Sequence, residues 1–277
     1  MTSAGRLPEF VVAGFPKAGT TTLADWLAQR DDVFIPIRKE VHFFDQSWGR
    51  GVDWYRSQFR AARSDQMCGD ATPGYLARPG ALQRMVETLD QPRIIVMVRE
   101  PVSRAQSHYW YFADSVGLDL PPLREVVIRG VEDPESDRHG IVAWGRYELY
   151  LRQLDELVPT RQVLVITLDE LQDAPGAVAA DVSRFLGLEA TVNTDALSTS
   201  SNQSFTYRSV ALSRMMIGVG VWHRSPGLAR RVEMWNRRPV ERPPLDDDLS
   251  ARLTEFYEPW NRLLGARLGD RAPSWTA

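Results

Sequence analysis

The sequence predicts an α/β fold of three layers, αβα, built on a central parallel sheet. Three observations carry that expectation. Short apolar runs at 10–14 (FVVAG), 93–98 (RIIVMV) and 162–167 (QVLVIT) are too short for helices and apolar on both faces, as buried parallel strands are. Segments with helical spacing lie between them. A glycine-containing loop follows the first run directly, in the manner of a P-loop.

Taken in order, the first strand leads through GFPKAGTTT into a helix at TTLADWLAQR (21–30). The second strand ends at Arg99 and opens a helix at PVSRAQSHYWYF (101–112). GRYELYLRQLDELV (145–158) places apolar residues at helical spacing before the third strand, and APGAVAADVSRFLGL (174–188) follows it, with Gly187 as a helix stop. From about 209 onward the pattern turns mostly helical. A basic interval, Arg224 to Arg242, holds six arginines and two glutamates, and a last helix is expected from its N-cap Asp246 to about Leu268.

The chain has 277 residues, 43% of them hydrophobic, enough for a real core, and one domain over 1–277 is expected. Lys plus Arg total 33 against 36 Asp plus Glu, so no global positive field points to nucleic acid. Any anion site must be local. Cys68 is the only cysteine, which excludes an internal disulfide and a cysteine zinc cluster and suits a reducing, cytoplasmic address. His108, His139 and His223 show no metal spacing. The opening MTSAGRLPEF lacks the marks of a signal peptide, and no apolar run approaches the roughly 18 residues of a membrane helix, so a soluble protein is expected.

The loop after the first strand carries the chemistry. Backbone N–H groups at a helix start converge on whatever lies above them, a geometry that binds anions. In a nucleotide P-loop the lysine follows the second glycine, whereas Lys17 comes two residues before Gly19 and three threonines follow. The second strand, where such an NTPase keeps an acidic group for magnesium, ends instead in Arg99. Arginine cannot ligate a cation but can clamp a phosphate with two parallel hydrogen bonds. Two anion grips without a metal are therefore expected.

Three motifs in order, PKAGTTTL (16–23), RKEVHFFD (38–45) and RIIVMVREPVSRAQSHY (93–109), resemble the PAPS-dependent sulfotransferases, in particular the heparan sulfate glucosaminyl branch. The similarity continues more weakly through GDATPGYL, GRYELYLRQLDEL and 163–188, about two thirds of the chain. The resemblance implies transfer of a sulfuryl group from 3'-phosphoadenosine-5'-phosphosulfate (PAPS) to an acceptor, releasing the bisphosphate PAP. It implies that Lys17, Ala18, Gly19, Thr20, Thr21 and Thr22 form the phosphosulfate cradle, that Arg99 and Ser107 hold the 3'-phosphate, and that Tyr147, beside Arg146, lies near the cofactor. It further implies Glu40 as general base with His42 beside it; in an extended segment the two side chains share a face.

Asp45, Asp70, Thr72 and Tyr75 are candidate acceptor-side contacts, although Pro73 and Gly74 equally mark a turn whose neighbours shape the backbone. Two departures from the glycan-sulfating branch stand out: Ala71 where relatives carry lysine, and Thr21 where they carry arginine. Both fit an acceptor less anionic or differently held. A third is STSSNQSFTYRS (198–209) in place of a glycine- and lysine-rich closing loop; it reads as a cofactor lid bearing Arg208 or as a plain solvent loop. The apolar 209–224 stretch and the arginines after it read as core and solvated face, or as a contact for a lipid-like acceptor or anionic membrane surface. The acceptor stays open among saccharide, glycolipid and small natural product. Two other readings remain: a P-loop nucleotide kinase, and a non-catalytic nucleotide-binding protein of the same fold.

Overall fold

Five parallel strands form the central sheet: β1 (Phe10–Val12), β2 (Val33–Phe34), β3 (Met67–Asp70), β4 (Arg93–Val98) and β5 (Val163–Thr167), in spatial order β2-β3-β1-β4-β5. The computed structural model describes residues 5–36, 40–189, 194–198, 205–209, 211–212, 215–216, 226–240 and 242–277. The central strand β1 is buried at every residue, as a strand covered on both faces must be. Burying one side chain the size of Phe10 contributes roughly 1.5–3 kcal/mol. The register pairs Phe10 with Gly69 and Val11 with Ile94.

The helices bounded within the described residues are, in chain order, α1 (Thr20–Leu27), α2 (Val52–Ser57), α3 (Ala81–Thr88), α4 (Pro101–Trp110), α5 (Leu123–Glu132), α6 (Tyr147–Asp155), α7 (Leu168–Asp173), α8 (Pro175–Leu186), α9 (Asp195–Ser198), α10 (Pro226–Asn236) and α11 (Asp247–Leu268). From β1 the chain moves to β2 at one edge and then returns past β1 to β4. Right-handed crossovers in these opposite directions put their helices on opposite faces, which gives the three layers. The strand order reverses between β1 and β4, so their carboxyl ends border the crevice where open α/β sheets bind ligands.

The chain divides into two compact units. One comprises Met1–Glu100, Arg146–Ser200 and Pro259–Ala277 and contains the sheet. Its last segment is tied down by Arg267 on Glu148 at 2.8 and 2.9 Å and by Arg271 on Glu170 at 2.8 Å. Glu170 also closes a capping box with Thr167 at the start of α7.

The other unit comprises Pro101–Gly145 and Ser201–Glu258. Its core gathers Ala105, Tyr109, Val127, Ile141, Val142, Leu249, Leu253 and Tyr257. Asp246 accepts from the amide of Leu249 at 2.9 Å, the N-cap that the sequence placed there. A short antiparallel ribbon pairs β6 (Phe205–Tyr207), in the segment expected to be a loop, with β7 (Arg237–Pro239), in the part expected to be mostly helical.

Candidate active site

The loop from β1 to α1 is held at both ends. Gly14 packs so closely on β4 that a Cβ there would lie 2.2 Å from the amide nitrogen of Met97. Gly19, at φ 92°, is the N-cap of α1, and a Cβ on it would meet Leu168 Cδ1 at 2.8 Å. Between them Lys17 adopts φ 71°, in the left-handed region that L residues avoid. Gly19 has no side chain to cap α1, whose first turn opens above the loop. Lys17 and Thr22 are half-buried, Ala18 and Thr20 buried, and Thr21 exposed.

Arg99 leaves the end of β4 and donates from Nη1 to the carbonyl oxygen of Lys17 at 3.3 Å. The two cationic residues expected to grip an anion thus meet at the switch point of the sheet. Tyr147 differs from its expected role: it is 1% exposed, donates its hydroxyl to the carbonyl oxygen of Arg99 at 2.7 Å and packs on Phe15 with ring centroids 4.8 Å apart. It supports the grip from behind rather than presenting its hydroxyl to a ligand.

The segment carrying Glu40 and His42 is not extended. His42 takes φ 52°, and its carbonyl oxygen accepts from the amides of Gln46 and Ser47 at 3.2 and 2.9 Å, closing a turn. Glu40 and His42 still meet, with Oε2 3.3 Å from Nε2, but through a left-handed bend. The same turn brings Asp45 to the other ring nitrogen, with Oδ2 3.0 Å from Nδ1. The three side chains form a row of decreasing exposure: 38% for Glu40, 21% for His42 and 4% for Asp45. Glu40 is therefore the member an acceptor can reach. Burial works against a charge on His42, but the hydrogen bonds to Asp45 and Glu40 outweigh it and push its pKa up to about 9. At neutral pH the ring carries both protons and donates to both carboxylates.

Asp70, Thr72 and Tyr75 depart from the expected acceptor contact, because all three are fully buried. The carboxylate of Asp70 accepts from Thr72 Oγ1 at 2.6 Å, Tyr55 OH at 2.8 Å and Tyr75 OH at 3.0 Å. Burial pushes its pKa up to about 6, while these three donors and the charge of His42 pull the other way. Asp45 likewise faces its histidine. Tyr55 belongs to none of the sequence motifs.

The remaining expected residues lie in the second unit: Ser107 half-buried on α4, and Arg208 exposed after β6, its guanidinium 5.9 Å from the Trp235 ring centre. Arg38, Lys39 and His223 lie outside the described residues, as do 199–204 and most of 209–224. Among the described residues no helix is long and apolar enough to cross a membrane.

Comparison with known proteins identifies the family and the fold. A family model described as the sulfotransferase domain matches residues 7–265. Human heparan sulfate glucosamine 3-O-sulfotransferase 6 is 27% identical over 257 residues, covering 93% of this chain and 70% of the relative. Human heparan sulfate glucosamine 3-O-sulfotransferase 3B1 is 26% identical, covering 92% of this chain and 62% of its own. This chain thus spans roughly two thirds of the length of those relatives. A sulfotransferase crystal structure from Alicyclobacillus acidocaldarius superposes with a TM-score of 0.71 at 24% identity, over 98% of this chain and all of that one, a likeness of fold.

Proposed function

The chain belongs to the sulfotransferase domain family, and from that membership we propose a PAPS-dependent sulfuryl transfer to an acceptor hydroxyl with Glu40 as general base. When bound, PAPS supplies the sulfuryl group and a phosphate that leaves with its electron pair. The residues present fit such a donor: amide-rich helix start, lysine and arginine meet at one strand crevice. Lys17 stabilises the charge that grows on the leaving phosphate, with backbone and hydroxyl donors from Gly19 to Thr22. Arg99 holds the 3'-phosphate, assisted by Ser107 on the spacing that the family motif suggests, and Arg208 is proposed as a further phosphate contact.

Glu40 removes the acceptor proton as the acceptor oxygen bonds to sulfur. His42 is already protonated at neutral pH and so cannot serve as that base; it holds Glu40 in place, and Asp45 holds it. The single observation that carries the proposal is the junction of Arg99 with Lys17. It puts an arginine where a magnesium-dependent kinase needs a carboxylate.

The relatives are named for a glucosamine hydroxyl in heparan sulfate, and a saccharide hydroxyl is the acceptor we propose here. Ala71 and Thr21 replace the basic residues of that branch, which favours a less anionic sugar. Cys68 is buried and unpaired with any other cysteine, in keeping with a reducing, cytoplasmic setting as the proposed address.

Titrating the protein calorimetrically with PAP and with ATP tests the reading. PAP is expected to bind at least about tenfold tighter, a difference of about 1.4 kcal/mol. Equal binding, or ATP turnover with magnesium, would overturn it. A radiolabelled-sulfate transfer screen over sugar, lipid and phenol pools identifies the acceptor.

A further inference from the structure

Two consecutive backbone amides of the His42 turn end, through one hydroxyl each, on the two oxygens of a single buried carboxylate. The amide of His42 donates to Thr72 Oγ1 at 3.3 Å, and Thr72 Oγ1 donates to Asp70 Oδ1 at 2.6 Å. The amide of Phe43 donates to Tyr75 OH at 2.9 Å, and Tyr75 OH donates to Asp70 Oδ2 at 3.0 Å. The left-handed backbone of His42 lets both N–H groups face the same way, as in an anion-binding nest. Here hydroxyls stand in for the anion and relay its charge.

We propose that Asp70 is the positioning residue of the base: through Thr72 and Tyr75 it fixes the turn that sets His42 between Glu40 and Asp45. Asp70 is itself fixed, because it closes β3 and is in register with Val11 of β1. The amide of Gly74, just past the hub, donates to the carbonyl oxygen of Gly14 at 2.8 Å. One carboxylate therefore ties the turn to the strand that opens the Lys17 loop. Aromatic packing adds to the tie, with Phe43 stacked on Tyr55 at 4.4 Å and 8° and Phe44 edge-on to Tyr75 at 5.2 Å. Leaving a carboxylate fully desolvated is costly, and its donors are hydroxyls of which two lead only to this turn.

The inference rests on the reading of Glu40 as base. Its test separates a tie to the turn from a mere buried bond. Thr72→Val and Tyr75→Phe each remove a hydroxyl that joins Asp70 to the turn, with little change of volume. Tyr55→Phe removes a hydroxyl that bonds Asp70 at 2.8 Å but donates nothing onward to the turn. The readouts are the imidazole NMR titration of His42, the melting temperature, and consumption of radiolabelled PAPS with water as acceptor.

All three variants are expected to melt lower. Only Thr72→Val and Tyr75→Phe should lower the His42 midpoint, by about half a pH unit or more, and cut PAPS consumption by about tenfold. Thr72→Ser is expected to restore both. The proposal is overturned when the His42 midpoint of Thr72→Val stays at the parent value, or when Tyr55→Phe moves it as far. Should Thr72→Val not fold, Tyr75→Phe against Tyr55→Phe decides alone. Failure of the parent to bind PAP would sink the sulfotransferase reading instead, and the His42 titration would still judge the hub.

Discussion

The guanidinium of Arg99 donates to the carbonyl oxygen of Lys17 across 3.3 Å, joining residues 82 positions apart in sequence. The bond holds the planar guanidinium beside the loop, and such a group can clamp a phosphate with two parallel hydrogen bonds. Lysine in its place keeps the charge and loses the fork. Arg99→Lys is therefore expected to weaken PAP binding by about ten- to a hundredfold, 1.4 to 2.8 kcal/mol, in calorimetry. Unaltered affinity would place the 3'-phosphate elsewhere.

Glu40→Gln keeps the size of the side chain and removes its ability to take a proton. Turnover should fall by roughly two to four orders of magnitude, with PAP affinity nearly intact. The comparison needs one acceptor from the transfer screen and a calorimeter. A variant as fast as the parent rules out the base.

Stability should depend on pH through His42 and Asp70. The folded pKa of His42, about 9, lies above its ordinary 6.5, so folding takes up a proton between those values. Its contribution, at most about 3 kcal/mol, is complete below pH 6.5 and disappears as pH rises to about 9. Asp70, raised from 3.8 to about 6, acts in the same direction at lower pH, and stability falls as pH rises through that window too. Urea midpoints between pH 6 and 9.5 should decline in the parent and flatten in His42→Asn. Parallel slopes for the two proteins would contradict the assignment.

Gly14→Ala should destabilise the chain by about 2–3 kcal/mol, because the new methyl would lie 2.2 and 2.8 Å from the backbone nitrogen and oxygen of Met97, atoms of a central strand that cannot swing aside. Gly49→Ala, with nothing within 4 Å, serves as the control and should stay within about 0.5 kcal/mol. Denaturant melts of both variants check the contrast.

The long apolar strands were legible: β4 falls on 93–98 as read and β5 on 163–167, one residue short of the expected start. The expected strand at 10–14 ends at Val12, because the chain turns into the loop at once. β2 and β3 escaped notice. β2 has two residues, and β3 is MCGD, where glycine and aspartate hide the strand signal. Pairing, not propensity, makes β3 a strand, and Gly69 is needed there because a Cβ would fall 2.0 Å from the ring of Phe10. Lys17 and Arg99 could be placed from motif order alone. The partnership of His42 with Asp45 could not, since it exists only through a left-handed turn that spacing does not reveal. The HFFD interval of three residues was the available signal. Tyr55 reaches Asp70 from a helix fifteen residues upstream, and no local pattern announces such a contact.

The backbone at Lys17 carries a conformation that glycine would hold without strain, at a saving of about 1 kcal/mol. Lys17→Gly should then melt at a slightly higher temperature while losing sulfuryl transfer. A screen for heat resistance alone would discard the lysine, and only selection for turnover keeps it in place.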